Sequence, residues 1–125
     1  MVLVDTSVWI RGVAGVAPYA VELGRLLNLK KVVGHELVYG ELLIGDTGGR
    51  RILLSAYEKM HQSASAPHTD VVTFVRNHRL HGRGVGWIDA HLLASALIER
   101  VRLWTADARL AELAREFHVA YRPTP

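Results

Sequence analysis

A chain of 125 residues is long enough for one domain with a helix-covered sheet, spanning residues 1–125, and too short to expect a second core. Half of it is hydrophobic and 22% is charged, with 4 prolines and no cysteine, which excludes a disordered chain, a disulfide scaffold and any thiolate metal site. A net charge of +3 and a sequence pI near 9.6 match ordinary solubility charge, and against that background a tight cluster of acids stands out. No apolar run approaches the ~18 residues of a membrane span, and Asp5 interrupts the N-terminal stretch before it forms a signal-peptide core, so a soluble cytoplasmic protein is expected.

Val2, Leu3 and Val4 form an apolar run without polar alternation, the pattern of a strand buried on both faces. Asp5 ends it, with Thr6 and Ser7 at a helix start, where open α/β sheets place ligands. A helical turn over residues 7–11, a glycine break at 12–15 and a helix from Pro18 to about residue 28 follow, the last with Leu23, Leu26 and Leu27 at helical spacing. Val32 and Val33 give a brief strand closed by Gly34, and residues 36–44 a helix stopped by Gly45-Asp46-Thr47-Gly48-Gly49.

Another helix is expected over residues 50–61, whereas residues 62–68 hold at most a weak strand because Pro67 disfavours helix there. Asp70 opens the next predicted helix, which ends near His81 before a glycine loop at 82–86. Residues 88–100 read as an Ala- and Leu-rich helix, 101–104 as a strand, 106–117 as a helix and 119–121 as a last short strand. Short apolar strands alternating with helices predict an α/β domain: a central parallel sheet of four to five short strands flanked by helices, with acids gathered at one sheet edge.

Four carboxylates fit a purely structural account poorly. Asp5 ends a buried strand, and Glu41 shares helical spacing with Leu37 and Ile44, where a charge on an apolar stripe is costly unless paired, neutralised or bound to a metal. A helix-edge glutamate reaching water is the equally weighted bland alternative. Asp89 and Asp107 each begin a helix, and either one alone reads more readily as a cap than as a catalyst.

Val4-Asp5-Thr6-Ser7-Val8-Trp9-Ile10, Gly40-Glu41-Leu42-Leu43-Ile44-Gly45, the stretch from Gly84 through Asp89 and His91 to Ala96, and Leu103-Trp104-Thr105-Ala106-Asp107 stand in the order and spacing of one known family. The chain resembles the PIN-domain ribonucleases, and most closely the VapC toxins of bacterial toxin–antitoxin pairs. That resemblance implies a three-layer PIN-like fold and a metal-dependent endoribonuclease. Asp5, Glu41, Asp89 and Asp107 would hold Mg²⁺, with Mn²⁺ as a substitute, and Thr6 and Thr105 would orient a carboxylate or a water. Products would carry 5′-phosphate and 3′-hydroxyl ends. It further implies a VapB-like antitoxin that wraps the toxin, an RNA substrate and a homodimer. Where many relatives have a further acid, two residues after Asp107, this chain has Arg109, which sets a second metal ion in doubt. An all-oxygen donor set agrees with a hard divalent ion that keeps several waters.

None of the 7 histidines forms a His-Glu-x-x-His spacing. His91, two residues from Asp89, is expected on the surface or against a partner, and His35 caps or precedes a helix. Arg76, Arg79 and Arg83, with His78 and His81, make the densest basic stretch, either a grip on RNA phosphates beside Asp89 or a solvated face. Trp87, beside the glycine loop, is the best placed of the 3 tryptophans to stack on a base, although packing is the commoner role. A phosphotransfer domain with Asp5 as nucleophile fails for want of the acid two residues on, where Ser7 stands. A catalytically silent PIN-like RNA- or protein-binding module is the remaining alternative.

Overall fold

The computed structural model describes residues 1–123. In chain order these form β1 (Val2–Val4), α1 (Thr6–Val13), α2 (Tyr19–Asn28), β2 (Val32–Val33), α3 (Glu36–Ile44), α4 (Arg51–Glu58), α5 (His68–Asn77), α6 (Trp87–Glu99), β3 (Arg102–Trp104) and α7 (Ala108–Glu116). The sheet order is β2-β1-β3, all parallel, with Val2 opposite both Val32 and Arg102. β1 is therefore the central strand, and Leu3 and Val4 have no exposed surface.

Among the described residues there are three strands rather than the expected four to five. The segments around Gln62 and Ala120 each touch the sheet at one residue, as parallel bridges Gly34↔Gln62 and Leu103↔Ala120, and turn away before a ladder can form. They still occupy the two outer edges: Gly34 N–H donates to His61 O at 2.8 Å and Leu103 N–H to Val119 O at 2.7 Å, so neither edge of the sheet is left open there.

Helix burial follows from side-chain pattern. α6 is apolar on all sides and buries every residue from Ala90 through Ala96, as a helix in the interior must. α1, α2 and α7 are amphipathic and bury Val8 and Trp9, Leu23 and Leu26, and Leu110 and Leu113 respectively. Each such side chain contributes about 1.5–3 kcal/mol relative to exposure. α1 extends past the predicted break at Gly12, because a Cβ there would lie 2.8 Å from Leu23 Cδ2; this glycine permits close α1–α2 packing and does not end the helix. No described helix is long and apolar enough to cross a membrane.

A buried polar strut runs through this core. His35, with no exposed surface, caps α3 as expected: its Nδ1 accepts from Leu37 N–H at 3.1 Å, which leaves the proton on Nε2 to meet Ser95 Oγ of α6 at 3.0 Å. Tyr57 Oη of α4 accepts from His35 N–H at 2.8 Å. Burial holds the His35 imidazole below its usual pKa and raises Tyr57 to about 12, so both stay neutral. The strut fixes α3, which carries Glu41, relative to α6, which carries Asp89. Tyr57→Phe leaves the His35 N–H buried without an acceptor and is expected to cost about 1–3 kcal/mol in urea unfolding; a variant as stable as the parent would show that the strut holds nothing.

Candidate active site

In a parallel sheet the carboxyl ends of the strands share one edge, and in the order β2-β1-β3 the chain reverses direction beside β1. Asp5 follows β1 there, and Thr105 and Asp107 follow β3. The backbone joins them directly, Asp5 N–H donating to Trp104 O at 2.8 Å.

Asp5 is 5% exposed and caps α1. Its Oδ1 accepts from Thr6 N–H at 2.8 Å, and its Oδ2 accepts from both Ser7 Oγ and Thr105 Oγ1, each at 2.8 Å. Both hydroxyls are themselves oriented: Ala106 N–H donates to Ser7 Oγ and Asp107 N–H to Thr105 Oγ1, each at 3.0 Å. Thr6 Oγ1 donates to Glu41 Oε1 at 2.6 Å. Hydrogen bonds thus connect Glu41, Thr6, Asp5, Thr105 and Asp107 in one network. Thr6 and Thr105 each hydrogen-bond one of the candidate acids, Thr6 to Glu41 and Thr105 to Asp5; Ser7, which the sequence placed only at a helix start, hydrogen-bonds Asp5 as Thr105 does.

Asp89 and Asp107 are also caps. Asp107 Oδ1 accepts from Arg109 and Leu110 N–H at 2.9 and 3.0 Å, and Asp89, at the third position of α6, accepts from Gly86 N–H at 3.2 Å through Oδ2. Each has one oxygen on backbone donors and, among the described residues, a second without a protein partner. Glu41 keeps Oε2 in the same condition. The expected apolar stripe around Glu41 is not buried: Ile44 is 88% exposed, and α3 buries Val38 and Leu42 instead. Glu41 stands at the border of that buried face, where Thr6 receives it.

Burial pushes the Asp89 carboxyl up to about 6 despite the Gly86 N–H, and the charges of Asp5, Asp107 and Glu41 push the same way. The four acids thus act on one another, and none of them is in an ion pair among the described residues. As placed, no group of three or more His, Asp or Glu side chains among those residues comes close enough to hold an ion. Mg²⁺ needs no such closed cage: it keeps several waters and takes one or two carboxylates directly. Carboxylates with spare oxygens and no cationic partner fit an open, water-rich site of that kind.

The basic stretch divides. Arg83 is paired with Glu116 at the end of α7 remote from Asp107, so it does not reach toward the acids. His78 packs between Phe74 and Phe117 at 5.0 Å from each. Arg76 and Arg79 are exposed and belong to no ion pair among the described residues. Arg109 lies across the glycine loop: a Cβ on Gly84, whose φ of +82° is in the left-handed region, would fall 2.6 Å from Arg109 Cδ. Gly84 is needed for both its conformation and this contact. His91 is buried, against expectation, with Nδ1 lacking a partner and its ring against the Trp87 indole at 5.1 Å.

Comparison with known proteins agrees with this geometry. The PIN domain family matches residues 2–116. Ribonuclease VapC32 from two strains of Mycobacterium tuberculosis, CDC 1551 / Oshkosh and ATCC 25618 / H37Rv, is in each case 40% identical over 121 residues, covering 96% of this chain and 95% of the relative. The chain belongs to the PIN-domain family, among its VapC ribonucleases. The match spans the stretch from β1 through α7 and so takes in all four acids.

Asp89 carries a pH dependence with a definite sign. Its folded pKa of about 6 lies above the ordinary 3.8, so between those values the folded protein binds more proton than the unfolded chain, and this contribution to stability is lost as pH rises through the window. Asp89→Asn keeps an acceptor for Gly86 N–H and removes the charge. The metal-free variant is expected to be more stable than the parent by about 1 kcal/mol near pH 7.5, after solvent screening of a partly exposed group, with the gap closing near pH 4. Urea titrations at both pH values measure this; a parent as stable as the variant near pH 7.5 would contradict the crowding of the acids.

Proposed function

We propose that this VapC-type PIN domain is a divalent-metal-dependent endoribonuclease, the toxin of a VapB–VapC-type pair, hydrolysing RNA phosphodiester bonds at Asp5, Glu41, Asp89 and Asp107. The observation that carries this reading is the Asp5 carboxylate, buried at the end of the central strand on three donors, with Glu41 joined to it through Thr6, Asp107 through Thr105, and Asp89 feeling the charge of all three. Such a cluster raises Asp89 and so opposes folding; a cation that it binds offsets that cost. When bound, Mg²⁺ or Mn²⁺ supplies positive charge to the phosphate and lowers the pKa of a water.

The chain's own residues set the geometry. Ser7 and Thr105 fix the Asp5 plane from one side, and Thr6 N–H holds the other oxygen. Thr6 Oγ1 fixes Glu41, so one residue positions two acids. Helix N-termini at Asp5, Asp89 and Asp107 present partial positive charge that favours carboxylates at this edge. Arg76 and Arg79 are free to meet RNA phosphates, whereas Arg83 is engaged by Glu116. Exposed Leu43, Ile44 and Ile52, at 52%, 88% and 78%, give an antitoxin or a second copy apolar surface to cover. The reading places the protein in the cytoplasm, where both its RNA and an antitoxin would be.

Purified, partner-free protein is expected to cut total bacterial RNA at discrete positions with Mg²⁺ or Mn²⁺ and not with EDTA. Asp5→Asn abolishes cutting while retaining the folded circular dichroism spectrum. Ser7→Ala, which removes one of two hydroxyls on Asp5 Oδ2, lowers the rate about tenfold, the equivalent of one hydrogen bond. Full activity in Asp5→Asn would remove the assignment. No cutting by folded parent protein with either metal would favour a silent RNA- or protein-binding module, the reading that the spread of the acids supports.

A further inference from the structure

The edge of the sheet opposite the acids is basic. A cavity of about 590 Å³ opens there, lined by Arg102 at the start of β3, Arg115 in the last turn of α7, and His118, Tyr121 and Arg122 beyond it, with no carboxylate in its wall among the described residues. Among the described residues the ion pairs are Arg25–Glu22 and Arg83–Glu116, so none of these three arginines has a carboxylate partner. Tyr121 Oη is committed to Glu22 at 2.5 Å, which turns that acid toward the hydroxyl and Arg25. On the same edge a second cavity is walled in part by Lys30, Lys59 and His61.

The backbone repeats this bias. Every described non-glycine residue with positive φ is basic: Lys30, Arg79, Arg100 and His118, at 55°, 52°, 56° and 60°, each closing a helix where glycine would be unstrained. Helix dipoles favour cations at these ends and account for Arg115 and His118. They do not account for Arg102, which opens a strand, or for Arg122, which follows the Leu103↔Ala120 bridge.

We propose that the Arg102–Arg115–Arg122 cavity is a second RNA contact that holds backbone phosphates remote from the cut. The inference rests on the nuclease reading for its ligand and extends it in space. Guanidinium groups suit phosphate, which they meet in bidentate fashion. α7 links the two ends, with Asp107 at its head and Arg115 near its foot, and its 9 residues span about 13 Å at ~1.5 Å per residue. A strand engaged at the acids therefore needs about four further nucleotides, at ~3.4 Å each, to reach the cavity. Short RNA is read by the acids alone; long RNA is gripped at both ends of α7.

The test is direct binding in an Asp5→Asn background, so that RNA stays intact, comparing the parent with Arg115→Gln/Arg122→Gln. Arg102 is left unchanged because its Nη1 meets Ala120 O at 3.5 Å. Fluorescence anisotropy with labelled single strands of about 3 and about 24 nucleotides, over a salt series, reads affinity and the slope of log K against log salt. Removing two phosphate contacts is expected to weaken the long RNA about tenfold and to flatten its slope by about 1.4, with the short RNA unaffected. Arg115→Lys/Arg122→Lys, which keeps the charge, retains the slope. Unchanged affinity and slope for the long RNA would overturn the proposal, as would equal loss for both lengths. Polyglutamate bound as tightly as RNA, and lost equally on substitution, would overturn it in favour of an acidic polypeptide. Cutting by the protein with Asp5 intact is scored separately: unchanged binding in a protein that cuts RNA removes this inference alone, and absence of cutting removes the nuclease reading.

Discussion

A carboxylate at the end of the most buried strand is the constraint from which the arrangement of this molecule follows. Asp5 is almost fully buried, and a carboxylate in such a place is tolerated only when its lone pairs are met by donors. The donors come from three places: the first turn of α1, the hydroxyl of Ser7 in that same turn, and the hydroxyl of Thr105 after β3. Register therefore matters. Val4 pairs with Trp104, so the residues following each strand arrive together, and a slip of one residue would part Asp5 from Thr105.

The same economy recurs around the edge. Three of the four acids cap helices, so the groups that assemble the site also begin α1, α6 and α7. A cap uses one oxygen, and Asp89 and Asp107 each retain the other. On the proposed reading, structural and chemical duties are divided within single carboxylates, and a test that reads stability alone will see only the first. The buried strut from Tyr57 through His35 to Ser95 adds the remaining rigidity by tying α4, α3 and α6 together below the acids.

Much of this was legible in the sequence because it follows from local chemistry. The run Val2-Leu3-Val4-Asp5 showed both the central strand and its terminal acid, and the bounds of β2 and α3 match the apolar pattern. Asp107 is the cap its position suggested. What escaped depended on contacts between distant segments. Gly12 looked like a break and is a helix contact with Leu23. The segments around Gln62 and Ala120 have apolar or edge-like character but meet the sheet once each, which depends on where their neighbours turn. Glu41 was sought on an apolar stripe that includes the exposed Ile44, whereas its role comes from Thr6, 35 residues away. Ser7 shows that a hydroxyl two residues after a strand-terminal acid is itself a signal. His91, spaced like a surface residue relative to Asp89, is buried because α6 is apolar all round.

We propose that these four acids, spread as they are, form one site for a divalent cation. Calorimetric titration of Mn²⁺ into the metal-free protein near pH 7.5 tests it most directly, in parallel with Asp5→Asn and Glu41→Gln. Saturable binding by the parent is expected, weakened as pH falls through about 6, where Asp89 takes up a proton, and lost or much reduced in both variants. Folded parent protein that takes up no Mn²⁺, or variants that bind it as the parent does, would contradict the claim.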